Sequence, residues 1–289
     1  MRLACIDLGS NTTRLLVADC DGEQLTEVAQ LRSFTQIGRD LRTDGAISDQ
    51  KIAEVVAVVV GQLDAAREWG AVEVHGVATA AIRRAANGAA LVAAIDSACA
   101  LRVKILSSEQ EARLAFIGAA RTLDHRPAGE LGVVDVGGGS SELVVGAAPD
   151  QVSWSASLAF GSGDLADRYL LSDPPSSEEL SQARAYVTKV LSGIDVPRSS
   201  EAVAVGGSAT SLRRFAGPRL DASGFARALA LLGAERAGDI SRRFTLDLER
   251  VRLLPAGLII LQAASELFGS ALQIGRGGIR EGVLLQTRP

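Results

Sequence analysis

Two stretches of this chain share one unusual design, and they constrain its fold more than any other feature. Val133–Gly146 reads VVDVGGGSSELVVG: an apolar strand ends in an Asp, passes three glycines and two serines, and resumes as another apolar strand. Cys5–Ala18, CIDLGSNTTRLLVA, has the same form, with Asp7 in the place of Asp135. A strand, a small-residue turn and a strand have been written twice, which predicts two related α/β lobes.

The surrounding pattern agrees with a repeat. Short apolar runs predict strands over Arg2–Asp7, Thr13–Ala18, Glu27–Leu31, Val72–Val77 and Val103–Leu106. Between them, apolar residues at helical spacing predict helices over Ser48–Trp69, with Ser48 as N-cap, and Glu109–Thr122. After the polar stretch from Asp124 to Gly129 the order restarts, with strands over Leu131–Asp135, Glu142–Val145, Val152–Ala156 and Ala202–Val205. Helices are expected near Ser176–Leu191 and Pro255–Phe268. The lobes are therefore expected to be residues 1–124 and 125–289, with ligand held between them.

Composition narrows the function. With 289 residues, 47% of them hydrophobic, the chain can bury a sizeable core. Asp7 interrupts the first apolar run and no basic segment precedes it, so neither signal peptide nor membrane anchor is expected. The run Leu253–Ala264, broken by Pro255 and Gln262, reads as a buried helix too short to cross a bilayer. Cys5, Cys20 and Cys99 have no ligand spacing and read as reduced thiols of a cytoplasmic protein, so structural zinc is not indicated. A formal charge of −4 argues against a nucleic-acid partner. All basic residues but Lys51, Lys104 and Lys189 are arginine, whose planar fork suits phosphate oxygens, although high-GC codon usage gives the same bias. The apolar excess suits either a homodimer interface or a large core.

Glycine at the bend of a strand–turn–strand unit lets backbone N–H groups line a concavity that a phosphate can approach closely. Gly137, Gly138, Gly139, Ser140 and Ser141 form one such cradle, and Gly9, Ser10 and Asn11 the other. A carboxylate beside phosphate calls for a cation, and hard oxygen ligands plus phosphate imply Mg²⁺, with Asp135, Glu142 and Asp7 as candidate ligands. One copy alone would read as a tight hairpin whose Asp satisfies nearby amides; two copies favour phosphate binding. Gly206-Gly207-Ser208, between a buried strand and a helix, is a third and weaker anion candidate. His75 and His125 lack triad companions and read as structural.

Taken together these residues resemble the exopolyphosphatase/guanosine pentaphosphate phosphatase family, of the actin, sugar-kinase and heat-shock-chaperone ATPase superfamily. The resemblance is carried by Ile6–Thr12 and Asp135–Glu142, by Thr79, Arg83, Ala85 and Asn87, and by Ser107–Arg113. Gly206–Thr210, Leu254–Gly257 and Gly278–Gly282 complete it. It implies two actin-like, ribonuclease H-like lobes with mixed sheets flanked by helices and a cleft between them. It further implies a cytoplasmic Mg²⁺-dependent hydrolase that releases orthophosphate from inorganic polyphosphate or guanosine pentaphosphate. Glu111 matches the family's catalytic base and Arg83 a phosphate-binding position; on spacing alone Glu111 reads as a solvated carboxylate pairing with Arg113 or Arg121.

Ser108, Gln110, Arg252 and Gly275 depart from the family pattern. They keep open a non-catalytic sensor of phosphate or nucleotide, with an actin-like ATPase or sugar kinase as a further alternative. No accessory domain is expected after Arg288 and Pro289, so short or nucleotide-linked phosphates are the expected substrates.

Overall fold

The computed structural model of the chain describes residues 1–22 and 24–286. Arg288 and Pro289 lie outside the described residues. The described residues divide into two units, one made of Met1–Thr122 with residues 277–286, the other of Leu123–Arg276.

In the first unit β1 (Arg2–Leu8), β2 (Thr13–Asp21) and β3 (Gln24–Ser33) form an antiparallel meander. There follow α1 (Ile37–Asp44), α2 (Asp49–Glu68), β4 (Glu73–Ala78), α3 (Ala80–Arg84), α4 (Gly88–Cys99), β5 (Val103–Ile105) and α5 (Ser108–Arg121). The sheet order is β3-β2-β1-β4-β5, with β4 parallel to β1 and β5 parallel to β4. Ser48 caps α2 as expected, its side chain accepting from the Lys51 amide.

The second unit starts with the meander β6 (Leu131–Val136), β7 (Ser141–Ala147) and β8 (Gln151–Leu158), then α6 (Ser162–Tyr169), α7 (Ser177–Leu191) and β9 (Glu201–Val205). It continues through α8 (Gly206–Ala216), β10 (Arg219–Leu220), α9 (Ala222–Ala234), α10 (Ala237–Phe244), α11 (Leu248–Phe268) and β11 (Leu272–Ile274). Read from β8, its sheet runs β8-β7-β6-β9-β11-β10, with β9 and β11 parallel to β6. The motif repeated in sequence is therefore a repeated topology. Even the irregularities match: β3 carries an extra residue, Val28, opposite the Val17–Ala18 step, and β8 an extra residue, Ser153, opposite the Val145–Gly146 step.

One expectation is corrected. The last helix, α12 (Ile279–Gln286), belongs to the first unit and not to a lobe spanning 125–289. The cause is local. A Cβ on Gly118 would overlap the Gly278 carbonyl and one on Gly282 the Leu114 carbonyl, so bare backbone lets α12 lie directly on α5.

Strand alternation sorts the first sheet into two faces. Ala4, Ile6, Leu8, Leu15 and Val17 pack with the residues of α2 and α4, whereas Leu3, Cys5, Leu16 and Ala18 pack with Leu114 of α5 and Leu284 of α12. Asp7 and Arg14 continue the second set. In the other unit α11 is longer than expected, at 21 residues, and its apolar length would suffice to cross a bilayer. It is instead largely buried, packed against α6, α7, α8 and β6.

Candidate active site

Each glycine turn closes in the same way. Gly9 N donates to Thr12 O at 2.9 Å, and Gly137 N to Ser140 O at 3.0 Å. The second turn is then held from its carbonyl side: the amides of Ser162 and Gly163 donate to Gly137 O and Gly138 O, both at 2.9 Å. The N-terminal amides of α6 are spent on the turn. In return the amides of Gly138 and Gly139 have no partner among the described residues, which is the arrangement an anion cradle requires. Gly161, which the sequence reading missed, makes this possible, because a Cβ there would overlap Gly137 O and lie 2.6 Å from Gly138 C.

The first turn is braced by Gly38 N to Ser10 O at 2.7 Å and Gln36 N to Asn11 O at 3.0 Å. Asn11 Nδ2 is buried without a hydrogen-bond partner. A buried orphan donor is costly, and an anion at the turn would satisfy it. Of the expected hydroxyl donors, Ser10 and Ser140 are buried at the turns, but Ser141 is committed elsewhere, donating to Phe160 O at 3.1 Å.

Just below the second turn, Asp135 stands directly opposite Glu142 in the β6–β7 register. Both are buried, at 7% and 2% exposure. Opposed residues of an antiparallel pair lie on one face with Cβ atoms about 5 Å apart. Like charges directly opposite each other across strands are unfavourable. Ser157, opposite Glu142 on β8, donates to Glu142 Oε1 at 3.0 Å. Asp7, the third expected metal ligand, has a different neighbour, since Arg14 occupies the position of Glu142. Burial pushes the Asp7 carboxyl up, while Arg14 and Arg280 pull it down and Glu281 pushes it up; its Oδ1 has no hydrogen-bond partner.

Glu111 sits in the first turn of α5 and is only 2% exposed, which rules out the solvated-carboxylate reading. It forms an ion pair with Arg83 Nη1, which also donates to Leu106 O at 2.7 Å. The expected phosphate contact is thus engaged with the expected base. The rest of that motif is structural: Thr79 Oγ1 donates to Leu8 O at 3.3 Å, and Asn87 exchanges two 2.8 Å hydrogen bonds with the Ile47 backbone.

The third glycine cluster also differs from expectation. Gly206 has φ +86°, and a Cβ there would overlap Asp135 Oδ1, so this glycine gives the carboxylate its space. A Cβ on Gly207 would lie 2.7 Å from the buried Arg250 guanidinium. Ser208 is fully buried and turned towards Gly257 of α11, where its hydroxyl has no hydrogen-bond partner; its side chain is packed inward.

The four departures have local accounts. Gln110 completes a capping box with Ser107, each side chain accepting the other's backbone N–H, at 3.0 and 3.2 Å, and Ser108 begins the helix. Arg252 pairs with Glu249 one turn back at 2.9 Å. Gly275 leaves no room for a side chain, since a Cβ would meet Val203 Cγ1 at 2.7 Å. His75 lies near Glu73, and His125 bonds Glu201 at 2.8 Å.

A duplicated α/β sheet unit with a glycine turn at the end of each first strand, and buried carboxylates beside it, is the architecture of an actin-like ATPase fold. Comparison with known proteins agrees. The Ppx/GppA phosphatase family model matches residues 16–289, and the chain belongs to that family. It is 27% identical to exopolyphosphatase 1 of Mycobacterium leprae, over 99% of this chain and 89% of that protein. It is 32% identical to exopolyphosphatase 2 of Mycobacterium tuberculosis over 66% of this chain and 61% of that one. A crystal structure of the Aquifex aeolicus Ppx/GppA family member aligns with TM-score 0.83 at 28% identity, covering 99% and 96% of the two chains. An exopolyphosphatase from Cytophaga hutchinsonii, at 21% identity and TM-score 0.86 over 98% and 96%, shares the fold.

Proposed function

We propose that the chain hydrolyses phosphoanhydrides, releasing orthophosphate from the end of inorganic polyphosphate, with guanosine pentaphosphate as a substrate of the same chemistry. The observation that carries this reading is Glu111: a carboxylate held by an arginine, buried where it would otherwise be costly, at the family's base position. In the reaction a water oxygen bonds to the terminal phosphorus as the anhydride P–O bond breaks. The shortened chain leaves with the bonding electrons, and Glu111 takes the water's proton. Glycine-turn amides bond phosphate oxygens, and Arg83 keeps Glu111 in place.

Mg²⁺ fits the residues present. Among the described residues no group of three or more His, Cys, Asp or Glu could hold a metal ion. Mg²⁺ does not need one, since it binds through one or two carboxylates plus phosphate oxygens and water. Asp135 and Glu142 supply the pair, their mutual repulsion favours a cation, and Gly206 leaves the space beside Asp135 Oδ1. When bound, Mg²⁺ would neutralise phosphate charge. A non-catalytic sensor drew its support from the four departures, each of which has a local structural role. We place the activity in the cytoplasm.

The test is orthophosphate release by the purified chain from polyphosphates of defined length and from guanosine pentaphosphate, with Mg²⁺ or with chelator. Release that needs Mg²⁺ is expected. No release from any substrate would overturn the proposal.

A further inference from the structure

The sequence Arg-Arg-Phe occurs twice, as Arg213-Arg214-Phe215 and Arg242-Arg243-Phe244, and the reaction uses neither copy. One lies in the last turn of α8 and the other in the last turn of α10. Folding brings them together: the Phe215 and Phe244 rings meet with centres 5.2 Å apart and planes tilted by 47°. The field at a helix C-terminus favours arginine at each end taken singly. It gives no reason for the two ends to meet, and like charges gathered round one contact repel one another.

All four arginines are exposed. Arg242 pairs with Asp239 and Arg243 with Glu235, surface ion pairs of the kind that contributes little. The side chains of Arg213 and Arg214 have no ion pair or hydrogen bond among the described residues. The neighbourhood is basic as a whole. From Gly206 to Phe244 there are seven arginines against three acids, Asp221, Glu235 and Asp239, in a chain whose formal charge is −4. A local basic excess on an acidic protein is the electrostatic footprint of an anionic partner.

The rings narrow the kind of anion. Nucleic-acid surfaces offer aromatic faces on which bases stack. Here Phe215 and Phe244 pack against the core and against each other, and the Arg243 guanidinium lies 5.0 Å over the Phe244 ring. What the patch offers is guanidinium, whose fork bonds two phosphate oxygens at once and asks nothing of a base. α8 also relates the patch to the chemistry. Its first residue, Gly206, makes room for Asp135 Oδ1, and Arg213 and Arg214 stand about 11 Å further along the same helix.

We propose that the paired Arg-Arg-Phe ends of α8 and α10 form a second polyanion site, which holds a distal stretch of a long polyphosphate while the end of that chain is cleaved. The inference rests on the phosphoanhydride reading and adds a tether outside the reacting groups. Two contacts on one flexible polymer make the second binding event intramolecular, so only substrates long enough to reach both gain from it.

The test compares lengths. Orthophosphate release from tripolyphosphate and from a long polyphosphate is measured for the parent, Arg213→Glu/Arg214→Glu and Arg213→Lys/Arg214→Lys. The control, Arg102→Glu/Arg198→Glu, makes the same change in net charge at exposed residues ahead of β5 and β9. Binding of both polymers and of single-stranded RNA is followed calorimetrically with each change placed in the Glu111→Gln chain. Charge reversal at 213 and 214 is expected to raise KM for the long polymer about tenfold or more and to flatten its salt dependence, while kcat and the tripolyphosphate KM stay within about twofold. The lysine pair should stay within about threefold, because the charge is kept. Equal losses for the two lengths, or a reversal no worse than the control, would overturn the tether. So would RNA bound as tightly as long polyphosphate and lost in the same variant, which would give the patch to nucleic acid. Length-dependent binding that the reversal abolishes, in a parent that releases no orthophosphate from either polymer, would leave the tether standing and remove the hydrolase reading.

Discussion

One guanidinium nitrogen of Arg83 contacts both Glu111 Oε1 and the Leu106 carbonyl, so the arginine and the carboxylate form a fixed unit rather than two independent tools. Removing either has a distinct consequence. Glu111→Gln keeps the shape and cannot accept a proton, so turnover should fall roughly a hundredfold or more while polyphosphate binding persists. Steady-state release and calorimetry on the same preparation check this. Undiminished turnover would mean that another group activates the water.

Arg83→Ala leaves a carboxylate buried without its partner. Loss of about 3 kcal/mol in urea unfolding is expected, the lower end for breaking a buried pair, because the Arg83 side chain keeps 25% exposure. Its kinetic effect should fall on kcat, through a displaced Glu111. A raised KM with unchanged stability would return Arg83 to direct phosphate contact.

Asp135 and Glu142 give a prediction that changes sign with the metal. In chelator, Asp135→Asn and Glu142→Gln should melt at or above the parent's temperature, since a repulsion is relieved. With millimolar Mg²⁺ the order should reverse, because only the parent gains binding stabilisation. Calorimetric Mg²⁺ affinity should fall about tenfold or more in both variants. Parallel melting shifts under the two conditions would show that the pair holds no cation.

Gly206→Ala places a side chain at φ +86° and into Asp135 Oδ1. Strain and displacement together should cost about 2 kcal/mol or more and weaken Mg²⁺ binding, although position 206 need not touch the metal. Gly193→Ala is the control, since nothing lies within 4 Å of a Cβ there. Equal effects of the two changes would be inconsistent with a carboxylate held in place by bare backbone.

Glu179 supplies a pH test away from the site. It caps α7 and accepts from Ser172 Oγ and from the amides of Ser176, Leu171 and Ser172, which lower its carboxyl to about 2. A depressed native value means that the charged form stabilises the fold above the ordinary carboxylate range and that this is lost as pH falls towards 2. Glu179→Gln should therefore lower Tm by roughly 2 °C at pH 7. The gap should close as acid is added, and a gap independent of pH would remove the charge from the explanation.

The repeated strand–turn–strand units, their partner strands, and the helices α2, α5, α7 and the second part of α11 were legible because each follows a two- or 3.6-residue period over enough residues to stand out, whereas α9, with 13 residues, was missed. The short helices α1, α3, α6 and α10 were not, since five to eight residues carry too few turns to show a period. β10 and β11, with two and three residues, are set by their neighbours rather than by their own sequence. At the site, residue types were readable but partners were not. Glu111 and Arg83 are 28 residues apart in sequence, and nothing in the spacing says that they meet. Gly161 and Gly206 owe their roles to atoms brought near by folding, and only the turn motif itself hinted at the second.

The return of α12 to the first unit sets an order on the ribosome. Leu123–Arg276 is contiguous and can close as soon as it has left the exit tunnel. The first-made unit must wait, because the face of α5 carrying Gly118 and Leu114 has no cover until Ile279–Gln286 emerges. The part synthesised first is completed last, and α5, with Glu111 in its first turn, gains the cover of α12 only when the end of its own unit has been made.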